Sequence, residues 1–301
     1  MRIINRSENN IIFLMIKSAL LAIAGLAFPL LYLFLPAMFV TESIKSGIVK
    51  IIAIFSGICL ILALVTNPLL ASFIFAVFGP MILIFNYMIS NRYKVDTTLF
   101  VCAGVFFISV LLGSIAIGID FSDFKSAEYI NTFLSTQKEM MESFGLDFNK
   151  ADILILYKRI LQIMPAMLVI TSIIVAYITF VITGRSLIKR GEYILQPPSF
   201  IFLRLPKGLV RALVISGLGF YLISYFDIYD FNIVFDNVFL IFYCLFIFAG
   251  ISVLSFFIGK YIRNRVIATM FMFMIFLIPG SSNIFALAGI IDYALNVRNL
   301  P

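Results

Sequence analysis

Apolar positions fall into eight long stretches, approximately 11–40, 48–66, 68–90, 96–119, 155–184, 208–226, 236–259 and 264–296, separated by short charged segments. A run of about 20 apolar residues is long enough, as a helix, to cross a hydrocarbon core roughly 30 Å thick. The pattern therefore predicts an all-α, polytopic transmembrane helical bundle of about 8–10 membrane segments. Two stretches are too long or too interrupted for one helix. A straight helix over 11–40 would run roughly 45 Å, and Pro29 and Pro36 break it. Two short helices, or one plus a re-entrant turn, are expected there. The last stretch carries the turn signal Pro279-Gly280-Ser281-Ser282-Asn283 at its middle and poses the same choice.

One segment differs. Between 120 and 152 the chain turns polar, and Tyr129, Phe133, Met140 and Phe144 recur within it at helical spacing. An amphipathic helix lying on the membrane surface or capping the bundle is expected. A second short region, Pro197-Pro198-Ser199-Phe200-Ile201-Phe202-Leu203-Arg204-Leu205-Pro206, is too short to span. It reads as an elbow along the inner interface, with Phe200 and its neighbours in the lipid boundary and Arg204 near anionic headgroups.

Composition agrees with this picture. The 301 residues are 62% hydrophobic and 12% charged, against about 25% charged in soluble domains. No cleavage site follows Arg2 and Arg6 convincingly, so the first stretch is read as a retained membrane segment. The net charge of +7 lies in loops beside membrane segments and forms no basic stripe with interleaved aromatics. It is read as a topology signal, and no nucleic-acid partner is expected. The basic loops with Arg92 and Lys94, with Arg185, Lys189, Arg190, Arg204, Lys207 and Arg211, and with Lys260, Arg263 and Arg265 are placed inside. The acidic loop with Asp227, Asp230 and Asp236, and segment 120–152, are placed outside. Counting back from Arg92 puts Lys45–Lys50 inside as well, so a cytoplasmic N-terminus requires 11–40 to cross twice. A multi-pass cell-membrane protein with a cytoplasmic N-terminus is expected.

Candidate chemistry is sparse. Without histidine, Ser-His-Asp, Cys-His and H-E-x-x-H sites are excluded. Cys59, Cys102 and Cys244 stand singly in three apolar runs, so no metal or other cofactor is expected. Gly217-Leu218-Gly219 is followed by Phe220, not by an aspartate, which leaves a membrane aspartyl protease without its carboxylate. The chain is not expected to be an enzyme. Asp292, with Arg298 six residues later, is the acid closest to membrane depth, and an ion pair or structural cap outweighs a proton relay there. Asn67, Asn86 and Tyr87 are the candidates for lining a solute pocket, with hydrogen bonding between helices as the competing role. Ser18, Ala22 and Gly25 place small residues on one helix face, either an internal contact or a surface for a partner.

Leu35-Pro36 before a short basic turn, Phe200 through Leu205-Pro206 after a basic loop, Pro165, and the ending Gly289-Ile290-Ile291-Asp292 with Asn296 and Arg298 together resemble the YybS-like family of uncharacterised bacterial membrane proteins. Asn296 stands where that family more often has an acid. The resemblance covers nearly the whole chain and is distantly similar to the S components of energy-coupling-factor transporters. It implies a solute-binding subunit of about six helices without its own ATPase, docking on a transmembrane coupling protein through Ser18, Ala22 and Gly25. Residues 1–190 would form that core within a single 1–301 membrane domain, and 191–301 would be additional C-terminal helices. The alternative is a structural or regulatory scaffold of the cell envelope, with the outer amphipathic segment and the elbow of Phe200, Arg204 and Pro206 as contact surfaces.

Overall fold

The computed structural model describes residues 2–119, 123–145, 147, 149–192, 194–195, 199–205, 208–224, 231–262 and 264–300. Asp227, Asp230, Pro197, Pro198, Pro206, Lys207 and Arg263, singled out above, lie outside these. Of the described residues, 86% are helical and none lies in a strand. It divides into two compact units, one of residues 1–150 and 171–197, the other of 151–170 and 198–301.

In the first unit, α1 (Arg2–Ala27) ends where Phe28 and Pro29 interrupt it, and a 3-10 turn (Pro29–Phe34) leads into α2 (Leu35–Ser46). Proline acts here as a starter: Pro29 opens the 3-10 turn and Pro36 sits in the first turn of α2, where its missing N–H would have had no partner. The break expected within 11–40 is thus a pair of helices joined by a tight turn. Gly47, with φ +87°, then turns the chain into α3 (Ile48–Val65). The Asn67 side chain and Pro68 start α4 (Pro68–Ser90), and α5 (Val95–Ala116) follows. The core runs through Phe39, Ile51, Phe55, Met81, Ile82 and Phe85, all fully buried, with Val175, Ala176 and Phe180 from the long helix α7 (Lys150–Lys189). Between α5 and α7, Ser126 caps α6 (Ala127–Ser143) through the Tyr129 N–H. Only Leu134 of α6 is buried, while Tyr129, Met140 and Phe144 stand exposed.

The second unit begins with the first half of α7. Pro165 lies inside that helix, where a proline removes a backbone donor and crowds the preceding turn. Asn237, on α9 (Phe231–Tyr261), bridges the site: its Oδ1 accepts from the Ala166 N–H at 2.9 Å and its Nδ2 donates to the Gln162 carbonyl at 2.7 Å. One carboxamide thereby serves both halves of an i, i+4 backbone pair beside the proline. The remaining helices are α8 (Leu209–Ser224), α10 (Arg265–Phe276) and α11 (Ser281–Leu295). The turn signal at 279–283 marks a real break: α10 and α11 are bent by 113°.

Five described helices, α3, α4, α5, α7 and α9, are long and apolar enough to cross a membrane, or six spans if α10 and α11 count as one. This is fewer than the eight to ten segments expected, because the apolar part of α1 (Ile12–Ala27) and the 16 residues of α8 fall short of a span, and α2 and α10 have only 12 residues each. At 1.5 Å per residue each reaches only about 18 Å. On the spanning helices of the first unit large apolar side chains such as Leu64, Phe100 and Val49 are exposed, which is the surface a protein solvated by lipid presents.

α11 lies backbone to backbone on α9. A Cβ built on Gly250 would overlap the Phe285 carbonyl, and one on Gly289 would overlap the Phe246 carbonyl. Gly259, on the same helix α9, meets nothing within 4 Å. Gly250→Ala is therefore expected to lower the melting temperature in detergent by several degrees, a cost of at least about 1–3 kcal/mol for overpacking, whereas Gly259→Ala stays near wild type. Equal melting of the two variants would refute the close crossing.

Candidate functional site

A buried guanidinium has five N–H donors and no acceptor, so in an apolar unit it is stable only where acceptors for all five converge. Arg298, whose side chain has no exposed surface, has them. Nε and Nη2 donate to Asp292 Oδ2 at 3.2 and 2.8 Å, Nη1 donates to the Ile201 carbonyl and to Ser252 Oγ at 2.7 Å each, and Nη2 also donates to the Leu203 carbonyl at 2.7 Å. The Arg298 N–H adds a bond to Asp292 Oδ1 at 3.3 Å. Ser252, while accepting from Arg298, donates to the Phe200 carbonyl at 2.6 Å.

Three pieces of chain meet here. The elbow, whose described part is 199–205 with a 3-10 turn at Phe200–Phe202, offers the Ile201 and Leu203 carbonyls to Arg298 and the Phe200 carbonyl, which also closes the 3-10 turn with the Leu203 N–H at 3.0 Å, to Ser252. α9 contributes Ser252, and the end of α11 contributes Asp292. Arg298 reaches back because Asn296 ends α11 in the left-handed conformation, φ +48°, which asparagine tolerates better than most residues. Asn296 Nδ2 donates to the Leu300 carbonyl, the Leu300 N–H donates to Asn296 Oδ1, and Arg204 Nη1 donates to the same Leu300 carbonyl at 2.8 Å. The elbow residues Phe200 and Arg204 and the C-terminal pair Asp292 and Arg298, separate features in the sequence, thus form one knot. The elbow backbone is held while Ile201 and Phe202 keep exposed side chains.

The other sequence candidates lie apart. Asn67 is exposed at the start of α4, its Oδ1 accepting from the Leu69 N–H at 2.8 Å as a helix cap. Asn86 stands near the other end of α4, nineteen residues and about 28 Å away along the axis. Its Nδ2 donates to Ser43 Oγ on α2 at 2.9 Å. Tyr87 is exposed, with its ring near that of Tyr93. These three do not converge on one pocket. Ser18 and Ala22 are buried, and the Tyr32 ring lies against Gly25, with its hydroxyl donating to the Ala22 carbonyl. The stripe of small residues, read as either an internal contact or a partner surface, carries the chain's own 3-10 turn, because the tight break after α1 folds Tyr32 back onto it.

Close to Asn86, Glu42 is buried on α2 and accepts from Arg190 Nη1 at 2.6 Å. Thr183 and Thr41 both donate to the Ala37 carbonyl, at 3.4 and 2.7 Å. Among the described residues no three of His, Cys, Asp and Glu gather to hold a metal ion.

The profile of a family described as a predicted membrane protein, DUF2232, matches residues 13–293. The chain belongs to that family. No curated protein and no solved structure matches it. In this DUF2232 protein the matched region takes in Asp292 and Ser252 but stops short of Arg298. Sequence reasoning missed Ser252, whose one signal was a hydroxyl in an apolar run, and Asn237, whose partner lies some seventy residues away. Both were legible only as single polar groups in apolar helices.

Removing one side of a buried pair strands the other charge, typically at 3–5 kcal/mol. Asp292→Ala is expected to lower folded yield and melting temperature sharply, and Arg298→Met to do so less. The double variant Asp292→Leu with Arg298→Met should recover part of the loss, read by size-exclusion chromatography and thermal melts in detergent. Wild-type behaviour of Asp292→Ala would contradict the buried pairing.

Proposed function

We propose that this protein is a non-catalytic membrane scaffold that presents the elbow to a protein partner at the membrane surface. One observation carries the reading: the elbow's carbonyls are held by Arg298 and Ser252 while Ile201 and Phe202 remain partly exposed, the Phe202 ring set edge-on against Phe256. A loop whose backbone is fixed before binding loses less conformational freedom when it binds, which is how preorganised surfaces gain affinity. The basic loops belong on the cytoplasmic side, with the N-terminus cytoplasmic and 120–152 extracytoplasmic, by the excess of Lys and Arg. The elbow then faces the cytoplasm. Cysteines placed at Lys189 and Met140 test this orientation: impermeant reagent added outside should label only position 140, and labelling of 189 instead would reverse the whole arrangement.

A second reading, the solute-binding subunit of a transporter without its own ATPase, draws support from the first unit, which gathers α1 to α5 and the second half of α7. That makes six helices beside α6, the number the S-component likeness implies. Asn67 keeps its Nδ2 and Asn86 its Oδ1 for such a solute, beside the bonds they already make.

A photo-crosslinking residue at Phe202 in native membranes separates the two. The scaffold reading expects a discrete protein adduct that weakens at least severalfold in Arg298→Met. Adducts with lipid alone, unchanged by that variant, would remove the elbow from consideration. Co-purification of a transmembrane coupling subunit with two ATPases would establish the transporter reading in its place.

A further inference from the structure

α4 and α7 end at the same edge of the first unit, since Asn86 near the end of α4 bonds to Ser43 and Arg190 after α7 bonds to Glu42, neighbours on α2, and both end in the same backbone motif. After α7, the Gly191 N–H donates to the Ile188 carbonyl and the Glu192 N–H to the Leu187 carbonyl, with Gly191 at φ +82°. After α4, the Arg92 N–H donates to the Ile89 carbonyl and the Tyr93 N–H to the Met88 carbonyl, with Arg92 at φ +56°. Glycine is the usual residue at such a position because it has no Cβ to strain. An arginine there is disfavoured by the backbone, and such outliers persist where the side chain is wanted.

The Arg92 side chain is exposed and makes no hydrogen bond or ion pair with any described residue. It stands at a groove lined by Ile89, Tyr93, Thr98, Phe180, Ile194 and Leu195. The enclosed part is about 20 Å³, enough for one water, so a ligand must sit at the mouth. There Tyr93 and Leu195 are partly exposed, apolar surface beside a free cation. The same end of the unit carries Lys45, Lys50, Lys94, Arg185, Lys189 and Arg190, against Asp96, Glu192 and the already paired Glu42. A guanidinium with unused donors, apolar walls next to it and a positive field around it suit a phosphate ester whose own tail is apolar.

We propose that this groove binds the headgroup phosphate of an anionic phospholipid, with Arg92 as its contact and the acyl chain lying along Tyr93 and Leu195. The full-length protein, reconstituted into phosphatidylcholine nanodiscs containing a minor fraction of phosphatidylglycerol, is the test system. Extraction and quantification should show phosphatidylglycerol enriched around the protein. Arg92→Gly should cut that enrichment roughly fivefold, the weight of one basic side chain at the surface, while leaving the melting temperature unchanged or higher. Arg92→Gln, which keeps the strained backbone, should lose the lipid equally, and Lys50→Gln should retain it. Equal losses in Arg92→Gly and Lys50→Gln would reduce the effect to a diffuse field and overturn the site. Displacement of the lipid by inorganic phosphate would overturn the lipid as the source of the phosphate, and unaltered enrichment in both Arg92 variants would overturn the proposal outright.

Discussion

A charge taken out of water must be paired and its hydrogen-bonding capacity filled, or it will not stay charged and buried. Arg298 meets that requirement with five donors on one carboxylate, one hydroxyl and two backbone carbonyls, and the arrangement of the second unit follows from it. The elbow cannot swing away without stranding the guanidinium. The end of α11 cannot fray without losing Asp292, and Ser252 cannot turn without breaking a relay to Phe200. The α9–α11 crossing supplies the rigidity the knot needs, because Gly250 and Gly289 let two backbones approach until carbonyls face bare Cα atoms. In lipid, where burying apolar surface brings helices little advantage, close packing through small residues and bonds between helices take over that task.

The first unit solves the same problem with smaller means. Glu42 with Arg190, Ser43 with Asn86, and Thr183 with the Ala37 carbonyl each tie α2 to a later helix. Asn86 is better understood in this company than as a solute ligand. In the second unit, Asn237 bridges the backbone of α7 beside Pro165. A proline that would otherwise leave unsatisfied backbone in an apolar helix is accommodated by a neighbouring side chain, one of the ways in which membrane helices tolerate it.

Position-specific chemistry distinguishes residues that composition treats alike. Gly191 and Arg92 occupy equivalent places at two helix ends, yet only glycine is at ease there. Asn67 and Asn86 lie on one helix, yet one caps its start and the other bonds across to α2. Gly25, Gly250 and Gly289 all permit close approach, the first to a tyrosine ring and the other two to backbone.

Much of the fold was legible in the chain itself. The apolar runs, each long enough for hydrocarbon thickness, located α3, α4, α5, α7, α8 and α9, and Pro29 and the Pro279–Asn283 turn located the two breaks. The helix at 127–143 was legible from its apolar period. The number of full spans was not, since a broken stretch can form two short helices or one crossing, and only packing chooses. Asp292 and Arg298 were recognisable as a pair because six residues separate them across one helix end. That the pair also holds Phe200, Ile201, Leu203 and Ser252 was not, because those partners lie 46 to 98 residues from Arg298 and their hydrogen bonds carry no periodic signal. Hydrophobic period is a property of neighbours along the chain. Satisfying a buried donor depends on which distant groups the fold brings within 3 Å.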